Sequence, residues 1–345
     1  MSFRWVKATL KTGIVIVAIL VCGISKTHAQ GFTGVIDGIG SVLRVVGITD
    51  LYNYAKTRDT TYYVSPKGDF DICLNMNLFG SRLSTYGSET VKHSKFRSHI
   101  SSENEVNSSI IVGYKGIAIG YTFNPFSKTK KGGDHRFNLT LNGNFLGINF
   151  AYHNVKSFSG YSRLGTERYN IPYGEPNMKL FLINTYVVFN HKHYSFPAGV
   201  SQSYIQKRSS GSLIAGVTYT NNRTNVSSIG FGEPSIKINA KMVSIGAGYG
   251  YNYVPCKDML LAFSFIPKIV VYDSSFINVK SYDISQAFKR PQLTYYASLA
   301  VVKWFQNFFV AVSALADGYT SHKTSSGYYL LQTQWQTHFH LGVNF

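Results

Sequence analysis

The sequence contains no apolar run long enough to cross a bilayer as a helix. The longest, Gly13 to Ile24 (GIVIVAILVCGI), has twelve residues, whereas a helical span needs about 20. Charge is also scarce: 14% of the residues are charged, against about 25% in an ordinary soluble domain. Acidic residues are the rarer sign, 16 against 34 Lys and Arg, for a formal net charge of +18. The three cysteines, Cys22, Cys73 and Cys256, show no CxxC spacing, which excludes a disulfide framework and a zinc site of that kind. No glycine loop of the phosphate-binding type is present, because Gly246, Gly248 and Gly250 alternate within a strand pattern rather than joining strand to helix. No basic stripe accompanies a nucleic-acid motif, so the positive balance points to lipopolysaccharide phosphates or an anionic solute.

What the chain does have is alternation. In WQTHFHLGVNF, Trp335, Thr337, Phe339, Leu341, Val343 and Phe345 share one parity, while Gln336, His338, His340, Gly342 and Asn344 share the other. A period of two is a strand, and one aromatic-apolar face with one polar face is the pattern of an outer-membrane strand between lipid and water. Trp335, Phe339, Leu341, Val343 and Phe345 then form a C-terminal signal for the outer-membrane barrel assembly machinery. The 24 Phe and 25 Tyr suit the aromatic girdles of such a barrel.

The N-terminal part reads differently. A basic start with Arg4, Lys7 and Lys11, the apolar run and the small-residue site Thr27-His28-Ala29 predict a signal peptide over residues 1–29. Residues 30–66 form an extension in which Val35, Ile36, Ile39, Val42, Leu43 and Val46 recur at helical spacing. This predicts a short helix that caps or plugs the periplasmic mouth, or lies against its rim. The barrel is expected over residues 67–345.

Strand patterns run through Asp69 to Leu78, Lys95 to Ile100, Val106 to Tyr114, Ile117 to Phe123, Arg136 to Leu141 and Leu146 to Tyr152. They continue within Lys179 to Asn190, Tyr194 to Gln206, Ser212 to Asn221, Ala240 to Tyr253, Met259 to Tyr272, Gln292 to Lys303, Asn307 to Ala316 and Tyr328 to Phe345. Long polar connections separate them at Thr122 to Asp134, Lys156 to Asn177, Asn222 to Lys237, Asp273 to Arg290 and Asp317 to Gly327. Long loops and short turns belong on opposite sides of a membrane. Three strand patterns lie between the loops at 156–177 and 222–237, so one of them is not a wall strand or one loop is periplasmic. The expected fold is all-β, a transmembrane antiparallel up-and-down barrel of about twelve strands, ten to fourteen allowed, with the N-terminal helical extension. A soluble β-sandwich is the rival, since it too has many short alternating strands.

The inward parity offers the functional surface. Asp71, Asn75, Asn77, Arg136, Asn138, Asn149, His153, Gln334, Gln336, His338, His340 and Asn344 are the pore-lining candidates. Such residues tune selectivity in an open channel and form a satisfied hydrogen-bond network in a closed barrel. Twelve strands lie between small filled barrels and open porins, so size does not decide. His191, His193 and Ser195 are the nucleophile-and-base candidates, although a triad needs convergence that spacing alone does not provide. The pairs His191/His193 and His338/His340 fall short of the ligand count of zinc. No cofactor, metal or nucleic-acid partner is expected, and no enzymatic activity.

The stretch NHKHYSFPAGVSQSYIQKRSSGSLIAG from Asn190, with TYVVFN before it and DTTYYVSP from Asp59, resembles an uncharacterised domain-of-unknown-function family of secreted Bacteroidota proteins of outer-membrane barrel type. The resemblance implies location and architecture and brings no activity. Three functions follow as expectations. The first is a narrow outer-membrane channel or transport-related barrel for small, anionic solutes. The second is a non-conducting structural or binding barrel acting through its loops on lipopolysaccharide or envelope partners, and the third is a lipid-modifying enzyme.

Overall fold

A computed structural model describes residues 57–88, 95–102, 105–125, 134–226, 236–279, 284–287, 289–322 and 329–345. The expected leader and the helical pattern at 34–47 lie outside the described residues. In chain order, β1 is Tyr63–Val64, β2 Phe70–Ser88, β3 Lys95–Ser102, β4 Glu105–Tyr114, β5 Ile117–Phe123 and β6 His135–Leu141. Next come β7 Leu146–Val155, β8 Phe158–Leu164, β9 Glu167–Ile171 and β10 Asn177–Val188, then a short helix α1, Phe196–Val200, and β11, Ile205–Gln206. The remainder is β12 Ser210–Val226, β13 Ile236–Tyr253, β14 Met259–Asp273, β15 Phe276–Val279, β16 Ile284–Ala287, β17 Lys289–Phe305, β18 Phe308–His322 and β19 Tyr329–Asn344.

Twelve of these strands close a ring in the order β2, β4, β5, β6, β7, β10, β12, β13, β14, β17, β18, β19, each antiparallel to the next. The ring shuts where β19 pairs with β2, from Tyr329 opposite Tyr86 to Asn344 opposite Asp71. Closure leaves no row of unpaired backbone groups, which in hydrocarbon would cost several kcal/mol per group. Alternation sets the two faces. On β2, Phe70, Ile72, Leu74, Met76 and Leu78 are exposed on the outside, while Cys73, Asn75, Asn77 and Phe79 are buried inside. On β19, Trp335, Phe339, Leu341, Val343 and Phe345 face outward. Leu213 is 60% and Leu299 55% exposed on the same outer surface. A sandwich would bury these side chains between its sheets; here they form a continuous apolar belt.

The connections divide by length. At one end, the turn end, Lys115-Gly116 joins β4 to β5 with both residues at positive φ (48° and 88°), and Gln306-Asn307 joins β17 to β18. At the other, the loop end, the connections carry strands of their own. Along β2, β4 pairs from Phe70 to Phe79 and β3 from Arg82 to Ser88, so β3 is not a wall strand but stands above β4. It pairs with β8, which pairs with β9; the segment expected as a polar connection at 156–177 is therefore largely a hairpin. Likewise β15 and β16 occupy the connection at 273–290.

The Tyr194 to Gln206 pattern is not a strand. Its alternate apolar residues imitate one, but Pro197 has no backbone donor for a ladder, and the segment instead forms α1 and the two-residue β11. The connection from β10 to β12 folds into the barrel at the turn end. Tyr194, Phe196 and Ala198 are buried; the Phe196 ring packs edge-on against Tyr186 at 4.7 Å and faces Tyr296 at 6.4 Å. One glycine of the wall and one of the plug itself allow this approach. A Cβ at Gly250 would meet the Tyr194 hydroxyl at 2.1 Å, and one at Gly199 would meet the Ala262 Cβ at 2.5 Å. This segment, residues 190–206, plugs the turn end.

Candidate functional site: the barrel lumen

The lumen is filled in three layers. The loop-end layer is apolar, with Phe79, Leu83, Ile100, Phe158, Met178 and Met242 among its members. Met178 comes from β10 and reaches the wall opposite, where its sulfur lies 3.7 Å and 3.9 Å from the Nε2 atoms of Gln332 and Gln334 on β19. Asn222 on β12 donates through Nδ2 to Gln332 Oε1 at 2.7 Å. β10 and β12 stand six and five places from β19 around the ring, so these contacts bridge the lumen. The Arg136 guanidinium lies 3.7 Å over the Phe79 ring and 3.6 Å from Asp134. Asp134 in turn accepts from the Lys156 and Ser157 amides and the Ser157 hydroxyl.

Below this lies a polar layer built by neighbouring wall strands. His340 donates through Nδ1 to Asn75 Oδ1 at 2.8 Å and accepts the Ser313 hydroxyl at Nε2, 2.9 Å away. His338 donates to Asn77 Oδ1 at 2.5 Å; Asn77 donates to Ser109, whose hydroxyl lies 2.7 Å from that of Thr122. The Cys73 thiol donates to Asn75 Oδ1 at 2.9 Å. On the far side, Lys268 Nζ donates to Thr218 Oγ1 at 2.6 Å and Asn184 Oδ1 at 3.1 Å. Buried polar groups of this kind are stable only when paired.

The third layer is the plug, and amides fasten it. Gln206 accepts the Ser195 amide at 3.1 Å and Asn252 Nδ2 at 3.0 Å, and donates to the His193 carbonyl at 2.7 Å. Asn252 Nδ2 also donates to the Ser195 carbonyl. From the N-terminal side, β1 pairs with β11, and the Tyr63 hydroxyl donates to the His191 carbonyl at 2.5 Å.

All twelve pore-lining candidates stand on the inner parity. Asn75, Asn77, Arg136, His153, Gln334, His340 and Asn344 are buried, and Asp71, Asn138, Asn149, Gln336 and His338 partly so. The fold joins Asn75 to His340 and Asn77 to His338, while Asn149 bonds instead to Thr140, and Asp71 lies over Gly113 near the turn end. His191, His193 and Ser195 do not converge. Ser195 Oγ donates to Asn144 Oδ1 at 2.9 Å, the His191 ring packs on Phe145, and His193 sits 3.1 Å from Asn190 Oδ1. Within the polar layer, the hydroxyl that meets an imidazole is that of Ser313, on His340. Sequence reading missed Ser313 and Lys268, although each lies on the inward parity of its strand and Lys268 interrupts an apolar one. Both described cysteines are free, Cys73 buried and Cys256 exposed, and among the described residues no cluster of His, Cys, Asp and Glu could hold a metal ion.

The family model for a domain of unknown function, DUF4421, matches residues 57–345. No curated protein matches the chain. Among solved structures, the outer membrane protease OmpT of Escherichia coli is 11% identical with a TM-score of 0.42, covering 84% of this chain and 100% of that one. The transport unit of the autotransporter AIDA-I, also from Escherichia coli, is 9% identical with a TM-score of 0.34, covering 81% and 91%. The Pseudomonas putida toluene transporter TodX is 7% identical with a TM-score of 0.28, covering 81% and 90%. These likenesses assign no activity.

Proposed function

The chain belongs to the DUF4421 family, whose description names no activity, and from its geometry we propose a non-conducting outer-membrane barrel that works through its two ends rather than by passing solute. The observation that carries this is the bridging of the lumen by Met178 and Asn222 to Gln332. A porin keeps an aqueous channel between its walls, whereas here side chains from opposite walls meet, and a second seal, the plug, lies below. The narrow-channel reading is therefore the weaker one, even with its polar lining.

Outer-membrane placement is supported by the closed ring and its apolar belt, since only helices and closed barrels satisfy their backbone in hydrocarbon. Short turns face the periplasm and long loops the outside in such barrels, which puts the plug on the periplasmic side. A leader cleaved near Ala29, and delivery to the barrel assembly machinery through the aromatic last strand, fit this placement. The loops would meet lipopolysaccharide, and the plug would meet envelope partners on the periplasmic side.

Single-channel recording tests the proposal. Refolded, heat-modifiable protein in a planar bilayer under a salt gradient is expected to be electrically silent. Reproducible openings with an anion-biased reversal potential would overturn it in favour of the channel.

A further inference from the structure

Above the wall, the extension formed by the upper part of β2 with β3, β8 and β9 has two unlike faces. Its inner face, with Leu83, Ile100, Phe158 and Ile171, joins the loop-end apolar layer. Its outer face carries arginines in register: Tyr86 pairs with Arg97, Arg97 with Arg163, and Arg163 with Arg168. Three guanidinium-bearing residues thus stand directly opposite one another on three adjacent strands, about 5 Å apart from strand to strand. All three are exposed, as is Arg82 lower on the same face.

Like charges directly opposite in a sheet are destabilising. Among the described side chains, no carboxylate lies within ion-pair distance of these four arginines. What restrains them is aromatic: Arg97 lies over the Tyr86 ring at 5.0 Å and Arg168 over Tyr161 at 4.5 Å. Such stacking fixes the direction of a guanidinium but leaves its charge unmatched. The row below holds His99, bonded to Ser84 at 3.0 Å; burial first, and Arg82 second, hold this imidazole below its ordinary pKa. The whole face is therefore positive, and an anion is what would match it.

Height decides which anion. Going up the outside of β2, the apolar residues end at Leu78 and Trp335 covers Gly80. At about 3.4 Å per residue and a strand tilt of about 40°, the six-residue step from Gly80 to Tyr86 puts the arginine row about 15 Å above the Trp335 level. Arg82 is about 5 Å above it by the same measure. With Trp335 as part of the interfacial aromatic girdle, these heights match the acyl boundary and the sugars that stand over it.

We propose that this outer face binds a phosphorylated glycolipid of the outer leaflet, lipopolysaccharide in chemistry, with Arg97, Arg163 and Arg168 on phosphates of its sugar region and Arg82 nearer the acyl boundary. Arginine suits the task because its planar fork pairs two oxygens of a phosphate at once. The proposal rests on the outer-membrane placement above.

The test uses the full chain refolded in detergent, titrated with lipopolysaccharide, with phosphatidylglycerol vesicles and with inorganic phosphate. Lipopolysaccharide is expected to bind tightest, and the triple variant Arg97→Gln, Arg163→Gln, Arg168→Gln to bind it at least tenfold more weakly while remaining heat-modifiable. Lys303→Gln at the turn end should bind as the unaltered chain does. Equal binding by the triple variant, or equal competition from phosphatidylglycerol vesicles or inorganic phosphate, would overturn the proposal. A second reading comes from stability. Arg163→Thr relieves the repulsion, so it should raise the urea midpoint without lipopolysaccharide and gain less from its addition. A lowered midpoint together with an undiminished gain would count against the site. Conductance separates this proposal from the one before it, because a conducting barrel that still bound lipopolysaccharide would lose only the non-conducting reading.

Discussion

Ser313, His340 and Asn75 are ordered as hydroxyl, imidazole and amide oxygen, at 2.9 Å and 2.8 Å. The same order activates serine in hydrolases, so their surroundings decide what they do here. Ser313 is 5% and His340 6% exposed, with the plug on one side and the loop-end apolar layer on the other. A relay shut away in this way holds β18, β19 and β2 together. Ser313→Ala should leave Nε2 without its donor and cost about 1–3 kcal/mol, read as a lower urea midpoint of the detergent-refolded barrel. A serine-directed fluorophosphonate should not label the folded protein, and labelling at Ser313 would revive the enzyme reading. Glycines were more legible than this relay. Glycine within a strand marks close backbone approach or space beside it, and Gly246, Gly248 and Gly250 alternate on one parity; a Cβ at Gly248 would meet the Phe265 carbonyl oxygen at 1.9 Å. A relay has no such local signature, because its members lie on strands far apart in sequence.

Wall strands were legible from alternation because each side of the wall meets a different solvent. Phe70 to Leu78 against Cys73 to Asn77 is read as easily in the sequence as in the structure. The plug was not, and the reason is specific. Tyr194, Phe196 and Ala198 alternate with Ser195, Pro197 and Gly199 as strand residues would, and period alone does not distinguish a strand from a folded segment whose apolar side chains enter a lumen. Two signals were available, Pro197 within the run and the excess of strand patterns between two long loops. The family resemblance also ran through Asn190 to Gly216 and Asp59 to Pro66, and these stretches contain the plug and the strand β1 that clamps it. The β8–β9 hairpin escaped notice because its exposed face carries Arg163, Arg168 and Asn170, so polarity made it look like a loop. Beside its amide bonds, the plug is anchored by the ring of Phe196. Phe196→Ala removes the contacts with Tyr186 and Tyr296, and is expected to cost about 3–5 kcal/mol, as for other buried Phe truncations. Hydrogen exchange should then rise across residues 190–206 while the wall strands keep their protection. Uniform loss of protection would mean that the plug and the wall are a single cooperative unit.

At the scale of the whole barrel, the two seals are independent in construction. The plug belongs to one connection and could be lost without cutting the ring, since β10 pairs directly with β12 along its whole length, Asn177 to Val188. The loop-end seal is made by the wall itself, through Met178, Asn222 and Gln332, with Phe79 and Arg136 beside them. Twelve strands enclose a lumen narrow enough for long side chains to meet across it, which is why a barrel of this size can be closed by its own walls. This orders the effects of mutation. Replacing residues 190–206 by a glycine-serine linker should leave a heat-modifiable barrel that still passes no current in a planar bilayer. Adding Met178→Gly and Gln332→Gly to that variant should give measurable conductance, because the plug and the bridges that cross the lumen are then both gone. Current from the linker variant alone would show that the wall contacts do not seal, and would leave the plug as the gate of a channel.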